Sequence, residues 1–215
     1  MQKGQGNQKF WSRYARFYDM EVLRFSGKAY GEMYRLMARR LTKDMRVLEV
    51  ATGTGLIAVN IASFVRSVDA VDFSPGMIAA AQKKNAAGNV RFSVEDATAL
   101  SFEKNTFDAV IISNALHVMP QPEAALENIR RVLKPGGLLI APNFSHGHFK
   151  KSTWNGTVFL LKVIGFESYA QWTPEEYVDF IGRQGFAVES WQVLRAAFPL
   201  VYVEARGEAA PLNRG

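Results

Sequence analysis

Apolar residues along the chain come in short runs separated by longer segments of mixed character, and this pattern predicts alternating strands and helices. Five runs are almost wholly apolar and predict buried strands, at 46–50, 68–72, 90–94, 107–113 and 138–141. Three segments between them have apolar residues at helical spacing, at 55–64, 75–87 and 121–133. Strands that alternate with helices of this length predict a parallel sheet with helices on both faces, because only such a sheet buries both sides of its strands.

Local signals mark several helix ends. Ser74 and Pro75 stand where one predicted helix begins, as an N-cap and a first-turn proline, and Thr173 and Pro174 do the same for another. The Pro-Gly-Gly sequence at 135–137 is expected to end the helix before the fifth strand.

The alternation stops after the fifth strand. Residues 144–172 are rich in aromatic side chains and show no clear period. A helix is predicted at 173–184, followed by strands at 187–194 and 200–205. The connection between these two strands is so short that they must pair as an antiparallel hairpin.

The N-terminal region carries the positive charge of the protein. We expect a frayed terminus at 1–9 and helical pieces at 10–25 and 29–41. The net charge is +6, but residues 1–46 hold 11 Lys/Arg against 4 Asp/Glu, so the rest of the chain is close to neutral. Such an arm is compatible with a solvated helical face, with an anionic membrane surface or with nucleic acid.

Length and composition limit the classes of protein. A chain of 215 residues with 48% hydrophobic residues is typical of one globular domain. The absence of cysteine excludes disulfides, thiolate metal sites and a cysteine nucleophile. Because no apolar leader and no apolar run of membrane-spanning length is present, we expect a cytoplasmic protein.

The segment VLEVATGTG at 47–55 is the most informative motif. Gly53 and Gly55 allow a sharp turn directly after a strand. With Ala58 the segment reads G-x-G-x-x-A, and Asp72 follows Gly53 by 19 residues, which matches the fingerprint of a dinucleotide site. On these residues alone, a nicotinamide-dependent oxidoreductase is one interpretation.

Glu49 argues for a different ligand. A carboxylate at the end of this strand would repel the pyrophosphate that a dinucleotide places at the following helix N-terminus. It would attract a nucleoside ligand that has an ammonium group and no phosphate. S-adenosylmethionine is such a ligand.

At this point the chain resembles a known family, the class I S-adenosylmethionine-dependent methyltransferases. The likeness is to the branch that contains the quinone-biosynthesis C-methyltransferases and the bacterial phospholipid N-methyltransferases, with a weaker match at Tyr18-Asp19. Five segments carry it in family order: VLEVATGTG (47–55), VDFSPGMI (71–78), EDATALSF (95–102), FDAVIISNALHVMP (107–120) and LKPGGLL (133–139). Ala51 stands where most of the superfamily has its first glycine, which is similar to the quinone branch.

The resemblance implies an α/β fold with a Rossmann-like, seven-stranded sheet. Most strands would be parallel, with the last strand antiparallel in a C-terminal hairpin, helices on both faces and an N-terminal helical lid. A single domain would then have four parts: an arm or lid at 1–44, a cofactor-binding core at 45–143, an acceptor-side insertion at 144–172 and the C-terminal helix and hairpin at 173–207.

The resemblance also implies which residues hold S-adenosylmethionine and its product S-adenosylhomocysteine. The expected contacts are as follows: Glu49, Ala51, Gly53 and Gly55 with the methionine end, Asp72 with the ribose hydroxyls, Phe73 and Met77 with ribose and adenine, Asp96 and Ala97 with the adenine, and Asn114 beside the methyl group. Structural alternatives stay open: Asp72 as a helix cap, Asp96 as a turn residue and Met77 as a core residue.

Catalytic candidates are few. His117, after the fourth strand, is the candidate general base, with helix-cap or packing work as the alternative. Tyr18, together with Tyr14, would fold over the cofactor unless it only packs. His146 and His148 could face the pocket, but as a pair they lack a third metal ligand, so no metal is expected.

The expected activity is methyl transfer to a small, hydrophobic or lipid-like acceptor such as a quinone or a phospholipid amine. One alternative is a catalytically silent adenosylmethionine-binding protein. Another is a nucleic-acid methyltransferase guided by the basic arm, although SNALH at 113–117 replaces the expected N/D-P-P-Y/F motif, so nucleic acid is disfavoured. Oligomeric state is not predicted.

A peripheral membrane contact is also considered. On a helix, Phe10, Tyr14 and Phe17 would share one face flanked by Arg13 and Arg16, a pattern compatible with an anionic bilayer. The competing interpretation is that these aromatic residues close the pocket while the arginines face water.

Overall fold

The structure is a computed structural model that describes residues 5–84, 88–145, 168–195 and 199–207, without the side chains of 5–7, 16–18, 21–23 and 25 in the first helix. Strands and helices alternate as predicted from the first strand to the third, and again from the fourth to the fifth, while the third and fourth strands are joined without a helix. The elements are α1 Gln5–Arg40, β1 Arg46–Val50, α2 Leu56–Ile61, β2 Ser67–Asp72, α3 Pro75–Gln82, β3 Val90–Val94, β4 Phe107–Ile112, α4 Pro122–Val132, β5 Leu133–Ile140, β6 Asn143–Phe144, α5 Pro174–Arg183, β7 Phe186–Leu194 and β8 Leu200–Gly207.

The strands form one sheet in the order β3-β2-β1-β4-β5-β8, with β1 to β5 parallel and β8 antiparallel to β5. Strand β7 pairs antiparallel with the whole length of β8, which confirms the hairpin. The two-residue β6 was not predicted. It pairs with the start of β8 while β5 pairs with its end, so β5 and β6 lie end to end along one edge of β8. The sheet is therefore seven strands wide, as expected.

Helices cover both faces of the sheet. Leu48 and Val50 of β1 belong to a core shared with α4 and α5, whereas their neighbour Val47 belongs to a core shared with α1 and α2. Successive strand residues point to opposite faces, so a strand between two helical layers needs apolar residues at almost every position. This explains the continuous apolar runs in the sequence.

The expectations of separate helical pieces and of a terminus frayed to residue 9 were wrong, because α1 is continuous from Gln5 to Arg40. Gly27 lies between the two predicted pieces, and a Cβ added there would meet no atom within 4 Å, so this glycine marks no close approach. Met33 and Met37 are fully buried against α2. Packing of this kind outweighs a helix-propensity cost of about 1 kcal/mol per glycine.

The start of β5 also differs from the prediction. Helix α4 ends at Val132, and β5 begins at Leu133 and includes the Pro-Gly-Gly sequence expected to precede it. The pairing of β5 with β4 shifts register across this sequence, where Gly136 has a φ of +70°. The Pro-Gly-Gly sequence therefore forms an irregularity within the strand and not a separate turn.

The N-terminal half of α1 lies against the beginning of α3. The Gln8 side chain donates to the carbonyl oxygen of Phe73 (2.7 Å), and the hydroxyls of Ser12 and Ser74 are 2.8 Å apart. A Cβ added to Gly76 would lie 2.7 Å from the Cα of Ser12. The backbones of the two helices are thus as close as glycine permits. Within the described residues, no helix combines the length and the apolar character of a membrane-spanning segment.

We predict that Gly76→Ala lowers the free energy of unfolding by about 1–3 kcal/mol, because the new methyl group overpacks the contact with Ser12. Helix propensity alone predicts the opposite sign, a gain of up to about 1 kcal/mol. Gly31→Ala is the matched control, since its Cβ would enter open space on α1 and should not destabilise the protein. Chemical denaturation of both variants distinguishes the two effects, and a stabilised Gly76→Ala variant would contradict the close packing of α1 on α3.

Candidate active site

A cavity of about 860 Å³ lies at the carboxyl ends of β1, β2 and β4, which is where open α/β sheets bind ligands. Its volume is in the range of small-molecule sites. The lining residues are Gln8, Trp11, Val50, Ala51, Gly53, Asp72, Phe73, Met77, Glu95, Asp96, Ala97, Thr98, Ser113, Asn114, Ala115, Val118, Met119, Pro120 and Gln121. Of the ten predicted cofactor contacts, all but Glu49 and Gly55 are in this set.

The loop after β1 forms the floor of the cavity through left-handed backbone conformations. The φ angles of Ala51, Gly53 and Gly55 are +56°, +57° and +77°. A side chain on Gly55 would collide with the ring of Phe92 at 2.8 Å, so this glycine serves the packing of the loop and not the cavity surface. Of these three residues only Ala51 has a side chain, and its Cβ makes the left-handed conformation less favourable by about 1–2 kcal/mol.

Asp72 ties this loop to the end of β2. Its Oδ2 accepts the backbone N–H of Gly53 (2.9 Å) and its Oδ1 accepts that of Ser74 (2.8 Å). Burial raises the pKa of this carboxyl to about 6, although both N–H groups favour the ionised form. Helix α3 is capped by Ser74, whose hydroxyl accepts the N–H of Met77, so the cap does not account for Asp72.

Glu49 lies beneath the loop rather than on the cavity surface. It is 2% exposed, and its Oε2 accepts the Thr52 hydroxyl at 2.7 Å. Desolvation raises the pKa of Glu49 to about 8, opposed by the Thr52 hydroxyl and by the N–H of Ala58. The nearby charge of Asp72 adds to the increase. Glu49, which was expected to hold the methionine end of the cofactor, is therefore not among the residues that line the cavity.

The side of the cavity formed after β3 contains the predicted adenine contacts. Asp96 accepts both the backbone N–H and the hydroxyl of Thr98 through one oxygen, each at 2.8 Å, so it also has the turn role considered as its alternative. Met77 lines the cavity and is 2% exposed, so it has the position of a cofactor contact and the burial of a core residue. Ala97 and Phe73 complete this side.

Two unpaired polar atoms lie at the end of β4. Asn114, with a φ of +53°, donates from Nδ2 to the hydroxyl of Tyr30 (3.1 Å). Its Oδ1 and the hydroxyl oxygen of Ser113 are buried and find no hydrogen-bond partner in the described part of the chain. An acceptor left without a donor costs about 1–3 kcal/mol. Both residues line the cavity, so a ligand with N–H or O–H groups would fit here.

His117 is outside this lining set, although Ala115 and Val118 belong to it. Its Nδ1 is 2.9 Å from Oδ1 of Asn143, whose Nδ2 donates to the carbonyl of Phe144. With the amide oriented in this way, a neutral His117 carries its hydrogen on Nδ1. Its carbonyl accepts the N–H groups of residues 169 and 170, which anchors the end of the 144–172 segment.

Some predicted residues are outside what the structure describes. The side chain of Tyr18 is one, and His146 and His148 are others. Tyr14 stacks on Phe10, with ring centroids 5.3 Å apart. In the described residues, no group of three or more metal-ligating side chains occurs.

The sequence interpretation missed Gln8 and Trp11, which α1 contributes to the cavity. Residue pattern gave no signal for them, because their position depends on how α1 docks onto α3. Ser113 and Val118, by contrast, lie within the matched segment 107–120 and could have been found by extending the site along it.

The pKa of Glu49 predicts a pH-dependent stability. The unfolded chain loses this proton near pH 4.3, whereas the folded state holds it to about pH 8. The contribution of the group to stability is therefore complete below about pH 4 and is lost as the pH rises towards 8. Glu49→Gln removes this loss and keeps an acceptor for Thr52. We expect the melting temperature of the variant to exceed that of the wild type by more at about pH 9 than at about pH 5. A constant difference would refute the raised pKa.

Comparison with known proteins agrees with this site. A family model described as "Methyltransferase domain" matches residues 47–137. The demethylmenaquinone methyltransferase of Renibacterium salmoninarum is 37% identical over 148 residues, which are 65% of this chain and 62% of that protein. The chain thus spans less than two thirds of this relative. The enzyme of the same name from Leptospira interrogans is 31% identical over 173 residues, covering 76% of this chain and 69% of the relative.

A solved structure supports the fold. In the complex between the Haloferax volcanii Trm112 methyltransferase activator and a methyltransferase, the matching chain has a TM-score of 0.75 and 18% identity, with 93% of this chain and 98% of that chain covered. The family match, the curated relatives and the fold agree with the five motifs, and they displace the dinucleotide interpretation. The chain belongs to the class I S-adenosylmethionine-dependent methyltransferases and resembles their quinone-biosynthesis branch.

Proposed function

We propose that this protein transfers the methyl group of S-adenosylmethionine to a small, lipid-soluble acceptor of the quinol type. The main support for this proposal is the similarity to two demethylmenaquinone methyltransferases, one of which is matched over 69% of its length. The cavity supports it, since Trp11, Val118, Met119 and Pro120 give it an apolar wall beside Asn114. A flat, apolar ring suits such a wall better than a charged acceptor does.

The residues around the cavity fit the cofactor by their chemistry. Asp72 offers a carboxylate to the ribose hydroxyls, and Ala97, Phe73 and Met77 offer apolar surface to the adenine. The unpaired oxygens of Asn114 and Ser113 would accept hydrogens from the amino-acid end. When bound, S-adenosylmethionine supplies a methyl group activated by its sulfonium. The protein's own contribution is then to align the acceptor and to exclude water.

His117 is proposed as the group that accepts a proton from the acceptor. In methylation of a quinol ring carbon, the methyl group would leave the sulfonium and bond to the carbon, which loses its hydrogen as one net proton. A quinol oxygen that gives up its proton to activate the ring regains one when the carbon loses its own. Because Asn143 holds the hydrogen on Nδ1, the basic atom of the neutral ring is Nε2. The ring packs edge-on to Phe144 at a centroid distance of 6.4 Å, which fixes its plane.

We expect Asp72→Asn to weaken S-adenosylmethionine binding at least tenfold, because a hydrogen bond to a charged group contributes about 1.5–3 kcal/mol. Asp69→Asn is the matched control: it lies on the same strand, pairs with Arg46 and is absent from the cavity. Calorimetric titration of both folded variants tests the cofactor site. Equal affinity of the two variants would show that Asp72 does not hold the cofactor.

The acceptor is tested by measuring S-adenosylhomocysteine release with a panel of acceptors. The panel contains a prenylated naphthoquinol, phosphatidylethanolamine, a soluble amine and an RNA. We expect turnover with the quinol and none with the others, and His117→Gln should reduce it by about 10²–10⁴-fold without changing cofactor affinity. Preference for phosphatidylethanolamine or RNA would refute the quinol acceptor. Cofactor binding without turnover on any acceptor would favour the catalytically silent alternative.

A further inference from the structure

One face of α1 is a continuous row of positive charge. The exposed side chains that the structure describes on this helix are, apart from Met20 and Gly31, all cationic: Lys9, Arg13, Arg24, Lys28, Arg35 and Arg39. Successive members are four, seven or eleven residues apart, so they lie along one side of the helix. From Lys9 to Arg39 the row is about 45 Å long, at 1.5 Å per residue. We call these six residues the basic stripe.

The acidic side chains described on α1 do not interrupt the basic stripe. Asp19 points to the core, where it accepts the Thr54 hydroxyl and forms an ion pair with Lys84 at 2.6 Å. Glu32 is half-buried. Among the side chains that the structure describes, the exposed charges on this side of α1 are therefore all positive, and such a surface attracts polyanions.

The opposite face of α1 holds the helix to the body of the protein. Met33 and Met37 are buried there, and Gln8 and Trp11 line the cavity. Phe10 is also buried, although helical spacing places it on the same side as Lys28. Burial of Phe10 takes it out of the aromatic surface that the sequence suggested for insertion into a bilayer. A membrane contact through α1 would instead be electrostatic and made by its outer side.

We propose that the basic stripe binds the surface of an anionic lipid bilayer. A straight row of cations on a rigid helix can touch a plane along its whole length, and each Lys or Arg near an anionic surface adds to the affinity. RNA could also meet such a row. The bilayer is favoured because Met20, which is 63% exposed, is an apolar side chain among the cations, and because the acceptor of the proposed function is itself dissolved in lipid.

This orientation would hold the active site close to the lipid. Gln8 and Trp11 are on the same helix as the stripe, so the cavity wall lies about one helix diameter, 10–12 Å, from the membrane surface. A quinol would have to rise about this far to reach the cavity wall formed by α1. The part of the proposal that concerns acceptor delivery rests on the proposed function, whereas binding to the surface does not.

The test is flotation of the full-length protein with vesicles of phosphatidylcholine alone or with phosphatidylglycerol. We expect binding only to the anionic vesicles, and release as salt rises from about 50 to 500 mM, because screening weakens surface charge. The triple variant Arg13→Gln, Lys28→Gln, Arg35→Gln should bind about 100-fold more weakly, which is the effect of losing three surface cations. The triple variant Arg66→Gln, Arg91→Gln, Lys104→Gln removes three exposed cations elsewhere and should bind as the wild type does.

Each other outcome overturns the proposal. Equal losses in the two triple variants would mean that net charge, and not the stripe, sets binding. Tighter retention by single-stranded RNA than by anionic vesicles at the same salt would indicate a nucleic-acid surface. If a variant does not fold, the lipid and salt dependence of the wild type still decides the question. Turnover with a detergent-dispersed, short-chain quinol should be the same in the stripe variant and the wild type, so loss of vesicle binding and failure of the proposed chemistry are separate results.

Discussion

The carboxylate of Asp72 is the point on which the site depends. It is 6% exposed, and it joins the end of β2 to the loop after β1 through two backbone N–H groups. A buried carboxylate is stable only when donors surround it, so the same burial that raises its pKa also makes it a strong acceptor for a ligand hydroxyl. The loop has its left-handed residues where Asp72 accepts the N–H of Gly53. The same carboxylate therefore fixes the loop and is available to bind a ligand hydroxyl.

Helix α1 completes the site from outside the sheet. It reaches the cavity because Gly76 lets its backbone contact α3 and because Asp19 is drawn inward to Thr54 and Lys84. Its far half is fixed by Met33 and Met37 in the core. A wall of the cavity is thus held by apolar packing at one end of the helix and by hydrogen bonds at the other.

Elements with local causes were predictable from the sequence. Strand runs, the Ser74 and Thr173 caps and the C-terminal hairpin each depend on neighbouring residues, and the structure has all of them. Asp72 and Asn114 were expected at the site from the family resemblance, and both line the cavity, Asp72 at the end of β2 and Asn114 after β4. The continuity of α1, the irregular start of β5 and the contribution of Trp11 depend on contacts between distant segments, which pattern alone does not reveal. Glu49 was expected to contact the ligand because the sequence shows its position near the end of β1. The sequence does not show the direction in which its side chain points.

Negative and positive groups lie on opposite sides of α1: the carboxyl groups are at the site beneath the helix, and the cations are on its outer side. The inner carboxyl groups, Glu49 and Asp72, are buried, and desolvation raises their pKa values, whereas the cations of the basic stripe are exposed. A cationic ligand in the cavity would lower both carboxyl pKa values and release protons on binding, while binding at the stripe would weaken as salt rises. The two surfaces should therefore be separable in solution: cofactor affinity should vary with pH between about 6 and 8, and surface association with ionic strength. An arrangement in which one helix separates a proton-linked site from a salt-sensitive surface lets each bind its own partner without electrostatic competition from the other.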